Sequence, residues 1–567
     1  MDERLMKNYL LSLSLLLVCV SMFAQNQRPA FNRNLPETYV SAKMTSSQLQ
    51  TISKNFSVDK VTANPDGTMD VRLCVGKREY DSFEALGLPF TIQTPAKARV
   101  SMASSYAQLV SAWTRYPTYE TYLSAMQTFQ SQFPDLCDVD TILANTPGGH
   151  SLLVAHISNN LQERGDKPAF FYTSTMHGDE PVGYYLMLRL IHYLLNNYES
   201  DAQVRELVDN VDIWICPLEN PDGTYYSGNN TLNESPVSTR YNYYGYDLNR
   251  SFPEIGQAMS RSYPAEVQAM MDFGAQKNFT MSANFHGGSE VFNYPWDTWE
   301  TIQNGPADQS WWNLMGRKFA DTCHLYSNNY MRDLNNGVTE GGDWYSITGS
   351  RLDYYNYYLH CREVTVEVSG SKVVSSSRLP DYWNAIYHSL LNYMGESLNG
   401  VRGVVTDTLT GQPLEAMVWV QNHDQDNSQV YSHLPVGDYH RPIKSGTYQF
   451  TFTADGYRPK TQTLTVADGQ SLVFDVQLVP NDMSVEEWSD ATITMAPNPA
   501  SSTTLISAGD NVLSRVEVYS LSGKLLVWRE LQTNAYRLDV SALPTGLYLV
   551  KAICINGATR MMKMVRE

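Results

Sequence analysis

Phe170-Phe171-Tyr172-Thr173-Ser174-Thr175-Met176-His177-Gly178-Asp179-Glu180-Pro181 runs from an apolar strand through a tight turn into a helix. His177 and Glu180 stand three positions apart, at the carboxyl end of the strand. In open α/β sheets that edge is where ligands bind. One neutral imidazole and one ionised carboxylate make two thirds of a catalytic zinc set. The missing third is another His, with one coordination position left for water.

The regions around this stretch form a succession of short, nearly all-apolar strands: Val154–Ile157, Ala169–Ser174, Val211–Cys216, Phe279–Phe285 and Val364–Val368. Strands of this kind are buried on both faces, so the expected fold class is α/β, a mixed sheet covered by helices. One helix is marked by Tyr122, Met126, Phe129 and Phe133 and closed by Pro134. Another opens at Pro181 and runs to about Asn197. This domain is placed at 104–398.

Residues 25–103 alternate short β-like runs with turns. Asn64-Pro65-Asp66-Gly67 lies between Val58–Val61 and Met69–Leu73, which suggests a small α+β prodomain or accessory region. From Val401 the helical pattern stops. Val401–Asp407, Ala416–Gln421, Tyr448–Thr453 and Leu472–Leu478 predict a β-sandwich over 401–479. A polar, acidic linker follows over 480–491, then a second β domain over 492–567.

The bulk properties exclude some functions. The 567 residues carry 41 Lys and Arg against 59 Asp and Glu, a net charge of −18, which disfavours nucleic acid and anionic membranes. Hydrophobic content of 43% supplies packed cores. Lys7 precedes an apolar run from Tyr9 to Ala24 that reads as an export signal over 1–24, cleaved after Ala24. Met6 offers an alternative start. No other segment is long enough to be transmembrane. Of seven cysteines, Cys19 leaves with the signal. The others match no zinc-finger spacing, and Cys216 reads as a buried thiol.

The other strands deliver further polar groups to the same sheet edge. Phe279–Phe285 ends at His286-Gly287-Gly288. Among 11 histidines, only His177 and His286 directly precede glycine at such a strand end. Val364–Val368 carries Glu367, an acid that costs free energy in an apolar strand unless paired or used. Glu363 is the alternative, nearer the strand start. Arg240 and Arg250 bracket a Tyr-rich loop, and Arg suits bidentate capture of a carboxylate.

Five motifs appear in order: His177-Gly178-Asp179-Glu180, Asn220-Pro221-Asp222-Gly223, Asp247-Leu248-Asn249-Arg250-Ser251-Phe252-Pro253, Ala283-Asn284-Phe285-His286-Gly287-Gly288, and Cys361-Arg362-Glu363-Val364-Thr365-Val366-Glu367-Val368-Ser369. Together they resemble the M14 (funnelin) zinc metallocarboxypeptidases, closest to the regulatory branch. The resemblance implies one Zn2+ bound by His177, Glu180 and His286, with Glu367 as general base and later acid. Arg240 would polarise the scissile carbonyl, and Asn249 and Arg250 would hold the terminal carboxylate of a peptide or protein with a free C-terminus. A Tyr should close over the substrate, Tyr357 first and Tyr355 next. Asp297 either supplies an anionic pocket for a C-terminal Lys or Arg or caps its loop.

Residues 401–479 resemble the transthyretin-like domain that follows regulatory carboxypeptidases. Pro497-Asn498-Pro499, Val518–Lys524 and Leu543–Tyr548 resemble the C-terminal sorting domain of the type IX secretion system of Bacteroidetes. That implies export through periplasm and outer membrane, to a secreted or surface-attached location, with the secretion machinery as partner. Competing readings are a hydrolase of peptidoglycan stem peptides and a catalytically silent peptide- or glycan-binding surface protein.

Overall fold

The computed structural model describes residues 30–257, 259, 262–481, 493–521 and 523–567. The expected export signal, and the expected linker apart from Pro480 and Asn481, lie outside the described residues.

An eight-stranded sheet carries the fold. Across it the strands run Val338–Glu340, Glu290–Tyr294, Arg362–Val368, Met281–His286, Ala169–Ser174, Asp212–Cys216, Leu152–Ile157 and Cys137–Leu143. The middle four are mutually parallel, and antiparallel pairings flank them on each side. Strand alternation divides the side chains between two cores. Phe170 and Tyr172 pack with the helices Tyr119–Gln132, Val182–Asn197 and Leu379–Gly395. Ala169 and Phe171 pack on the other face with the helix Ala265–Lys277. Both faces are therefore dry, which is why these strands read as continuous apolar runs.

Register then fixes the site. Phe285 lies opposite Ser174, and His286 opposite Glu367. The successors of Ala169 lie on one side of that strand and the later strands on the other. The carboxyl ends of 169–174, 281–286 and 362–368 thus share one switch-point crevice.

Residues 30–93 form a separate antiparallel sheet, ordered Ser57–Ala63, Met69–Gly76, Glu37–Met44 and Thr91–Gln93, with two short helices and a core of their own around Val40, Val71, Leu73 and Phe83.

The region after 400 is built from two four-stranded sheets around one core. The expected strand Leu472–Leu478 is instead two, Ser471–Val473 and Val476–Leu478, both pairing parallel with Gly400–Asp407. The break comes where Asp475 accepts the Val404 N–H at 3.0 Å, a side chain taking the place of a ladder carbonyl.

This sandwich is fastened to the eight-stranded sheet by buried charge. Asp308 accepts from Arg362 at 2.8 Å and from Arg441 at 2.9 Å, while Arg441 also reaches Asp424 at 2.6 Å. Residues 493–567 form a further unit with a three-stranded and a four-stranded sheet around their own core. All six described cysteines are free and buried, Cys216 among them. Among the described residues no helix is long and apolar enough to cross a membrane.

Asp308→Ala leaves two buried guanidinium groups facing each other without their shared anion. A loss of about 3–5 kcal/mol is expected, read as a lower urea midpoint of the intact chain. An unchanged midpoint would show that the ionic cluster does not hold the sandwich in place.

Candidate active site

The turn after Ala169–Ser174 is tightly constrained. Thr175 takes a left-handed φ of 60°. Gly178 packs so close to the next loop that a Cβ there would fall 2.2 Å from the carbonyl carbon of Gly223. Only glycine fits, and the turn thereby aims His177 and Glu180 inward.

Three ligand-type atoms converge. His177 Nδ1 and Glu180 Oε2 are 3.0 Å apart, His286 Nδ1 is 3.0 Å from that same oxygen, and the two Nδ1 atoms are 3.0 Å apart. All three residues are buried, and they form the one cluster of metal-ligand type among the described residues. His177 Nε2 faces Asp247 Oδ1 at 3.1 Å, which places the ring proton on Nε2 and the Nδ1 lone pair toward the cluster. Atoms bound tetrahedrally to zinc at about 2.0–2.1 Å stand about 3.3 Å from each other, so this spacing fits that ion. The donor set, two imidazoles and a carboxylate, fits it too.

The electrostatics agree. Burial alone would push Glu180 up, but the neighbouring His177 and Lys372 hold its carboxyl well below the usual range. Burial, then the neighbouring His177, pushes His286 down to about 4, so the ring is neutral and able to donate a lone pair.

Asp247 does double duty. Its second oxygen accepts from Arg240 Nε at 2.9 Å, and Arg240 Nη1 reaches Glu180 Oε1 at 3.3 Å. Arg240 is thus fixed beside the cluster. Glu367 lines the same cavity, and its Oε2 is buried with no hydrogen-bond partner. Burial, with the charge of Glu180 adding to it, pushes Glu367 well above the usual carboxylate range. Glu363 has a different setting, enclosed with Arg351 at 2.9 Å and Ser282 at 2.7 Å.

The structure also brings Asn249, Arg250 and Asp297 to this cavity. Asn249 Oδ1 is occupied by the Arg351 N–H at 2.9 Å, which turns its amide nitrogen away from that bond. Asp297 accepts from Asn293 at 3.1 Å, and a Cβ on Gly341 would fall 2.0 Å from its carboxylate oxygen. Glycine at 341 therefore gives the Asp297 carboxylate its space.

The structure does not bring Tyr357 into this cavity. Its ring packs against Trp296 and Tyr358, outside the cavity wall. Tyr355 is in the core, its hydroxyl on the Met270 carbonyl at 2.8 Å. The tyrosine in the cavity wall is Tyr345. Residues 354–358 fold as the helix Arg351–Tyr358 behind the sheet, whereas Tyr345 sits in the loop before it. The sequence reading also missed Asp247 and Lys372. Asp247 opens a motif that was quoted, but Lys372 carries no local signal. Lys372 Nζ lies 3.0 Å from both Asp179 and Glu180.

Comparison with known proteins places this geometry. Residues 122–389 match the zinc carboxypeptidase family, 400–479 a carboxypeptidase regulatory-like domain, and 494–565 a secretion system C-terminal sorting domain. Carboxypeptidase SOL1 of Arabidopsis thaliana is 30% identical over 378 residues, covering 65% of this chain and 73% of that protein. The chain belongs to the zinc carboxypeptidase family. Carboxypeptidase M of Mus musculus is 31% identical over 353 residues, covering 58% of this chain and 75% of its own. A carboxypeptidase D of Anas platyrhynchos is 29% identical over 538 residues, 91% of this chain, and this zinc carboxypeptidase homologue spans 38% of its length.

Asp247→Asn removes the carboxylate that orients His177. Zinc affinity should fall about 10–100-fold in competition with a chromogenic chelator. Unchanged affinity would remove Asp247 from the account of the site.

Proposed function

We propose that the chain is an exported exopeptidase that hydrolyses the C-terminal peptide bond of peptides and proteins. Zinc would be held by His177, Glu180 and His286. The observation that carries this is the convergence of three ligand atoms at 3.0 Å beside the unpartnered Glu367 Oε2.

Zinc in a set of two imidazoles and one carboxylate acidifies a water to a pKa of about 7 and draws charge from a carbonyl oxygen. The side chains of the protein supply the rest. Glu367, isolated from other donors, takes a proton from the attacking water and returns it to the leaving amine. Arg240, locked by Asp247, offers a guanidinium where negative charge builds on the carbonyl oxygen, and one such donor is worth about 3 kcal/mol. Asn249 and Arg250 fix the terminal carboxylate, so the last peptide bond, not an internal one, lies beside Glu367. Asp297 faces the side chain of the last residue. Its buried carboxylate favours Lys or Arg there, because a basic group pairs with an acid held out of water. The match of residues 494–565 to a sorting domain supports export by the type IX machinery to the cell surface or medium.

The test is hydrolysis of a peptide library with every C-terminal residue, with zinc and with a chelator. Release of single residues, Lys and Arg first, is expected, and release of internal fragments would contradict the proposal. Glu367→Gln should bind zinc normally and lose turnover by about 10²–10⁴-fold. Full activity in that variant would refute the base assignment. Asp297→Asn should lower kcat/KM for C-terminal Lys and Arg by at least about 30-fold. Neutral C-terminal residues should be affected far less.

A further inference from the structure

We propose that Arg351 is a positioning residue of this site: its side chain, clamped between Glu219 and Glu363, sets its own backbone N–H where that group holds Asn249 ready for a terminal carboxylate. The inference rests on the exopeptidase reading only for what Asn249 binds.

Arg351 is fully buried and does not line the cavity. A guanidinium taken out of water must be paired. Its Nη1 lies 2.8 Å from Glu219 Oε2, its Nε 2.9 and 3.2 Å from the two oxygens of Glu363, and its Nη2 3.2 Å from Glu363 Oε2. Two rings cover its faces, with the guanidinium carbon 5.2 Å from the centre of Phe171 and 4.3 Å from that of Tyr355. A planar fork with acids at its edges and rings on its faces has one orientation open to it.

Both acids belong to the frame of the site. Glu363 takes hydrogen bonds from Ser282 at 2.7 Å and Asn284 at 3.0 Å, on the strand that ends at His286. It shares a face of its own strand with Thr365 and Glu367, which line the cavity. Glu219 follows the strand Asp212–Cys216, and its N–H bonds to the Ser174 carbonyl at 3.0 Å, just before the turn that carries His177. Arg351 is therefore tied to the strands that place His177, His286 and Glu367.

Its backbone carries that placement to the loop of Asn249. Arg351 is the first residue of the helix Arg351–Tyr358, after Ser350, whose hydroxyl caps the Asp353 N–H at 3.2 Å. The N–H of a first helical residue has no partner inside its helix. This one donates to Asn249 Oδ1 at 2.9 Å, which leaves the Asn249 amide nitrogen as the group free for a carboxylate. The residues just before it lie against the same loop. Gly349 C=O accepts the Phe252 N–H at 3.1 Å, and at a φ of 69° a Cβ on Gly349 would fall 2.6 Å from the Arg250 carbonyl oxygen. Segments 349–351 and 249–252 are thus in backbone contact, and the Arg351 side chain is what ties that first helical turn to the sheet.

Lys cannot take this place. An ammonium is a point charge and does not bridge two carboxylates as a fork does. With Lys at 351 the helix start and the Asn249 amide should shift together, and a misplacement of about 1 Å in a positioning group costs up to about 100-fold.

The experiment uses the full chain loaded with zinc, unaltered and as Arg351→Lys, Asn249→Ala and the two combined. Calorimetry measures affinity for N-acetyl-arginine and for its amide, and the ratio reads the carboxylate seat. Zinc affinity and hydrolysis of a peptide ending in Arg are followed beside it. The unaltered chain should prefer the acid at least about 30-fold. Arg351→Lys should cut that preference at least about tenfold while zinc affinity stays the same. Asn249→Ala should do likewise, and the double variant should fall no more than about twofold further, because both changes act on one amide. Glu219→Leu leaves Arg351 paired with Glu363 alone, and should lower the preference about threefold. An unchanged preference in Glu219→Leu would overturn the proposal even where Arg351→Lys does not fold. Parallel loss of acid and amide affinity with the ratio kept would show a merely structural role, and losses that multiply in the double variant would show that Arg351 does not act through Asn249. Equal affinity for acid and amide in the unaltered chain would overturn the carboxylate seat itself. A preference that Arg351→Lys abolishes, in a chain that hydrolyses no peptide, would keep the role of Arg351 and reject the exopeptidase reading.

Discussion

Two imidazole nitrogens and a carboxylate oxygen meet at 3.0 Å in a dry pocket, each turned to the others by its electron pair. With no cation among them, such an arrangement is repulsive. Proteins neutralise buried charge or pair it. Here Lys372 and Arg240 pair the charge of Glu180, and the surrounding structure enforces the convergence of the three atoms. Asp247 fixes the tautomer of His177, the parallel register sets His286 beside Glu367, and the glycine at 178 permits a turn that no larger residue allows. The eight-stranded sheet is the frame that holds these three electron pairs together, and the two helical cores keep that frame dry.

Much of this was legible in the sequence because burial on both faces leaves a strong trace. Ala169–Ser174, Met281–His286 and Arg362–Val368 are short apolar runs, and the polar residues at their ends stand out against them. What failed was decided by helical phase and by loop geometry. The run Tyr354–Tyr358 offers several hydroxyls, but the helix that contains it turns Tyr355 into the core and Tyr357 onto Trp296. Tyr345 lies in a loop that packs against the core of the N-terminal sheet and lines the cavity. Lys372 reaches Glu180 from a segment five residues past Glu367, and no local pattern marks that approach.

The N-terminal sheet was the least legible part. Its strands are short, and its position over the site depends on polar pairs whose partners are far apart in the chain. Charge accounts for the character of the seam between this sheet and the site, where Asp59 approaches Lys372 and Glu37 accepts the Arg240 N–H. Burial, then the neighbouring Asp179, pushes Glu37 up to about 7, and burial does the same to Glu234. These acids, with Asp59, surround Lys372 as the nearest buried ammonium. A seam of this kind is specific, because each charge must find its partner. It is also weak, because every group in it has water as an alternative. The ionic cluster around Asp308 belongs to a different class. There the guanidinium groups are sealed, and Arg441 is fully buried.

The central claim is that one ion sits where these three side chains converge. It is tested most directly by an anomalous difference map, collected across the zinc absorption edge from crystals grown with the metal. The account predicts a single strong peak about 2.0–2.2 Å from His177 Nδ1, His286 Nδ1 and a Glu180 oxygen. A map with no peak there, or with its zinc held by other side chains, would contradict it.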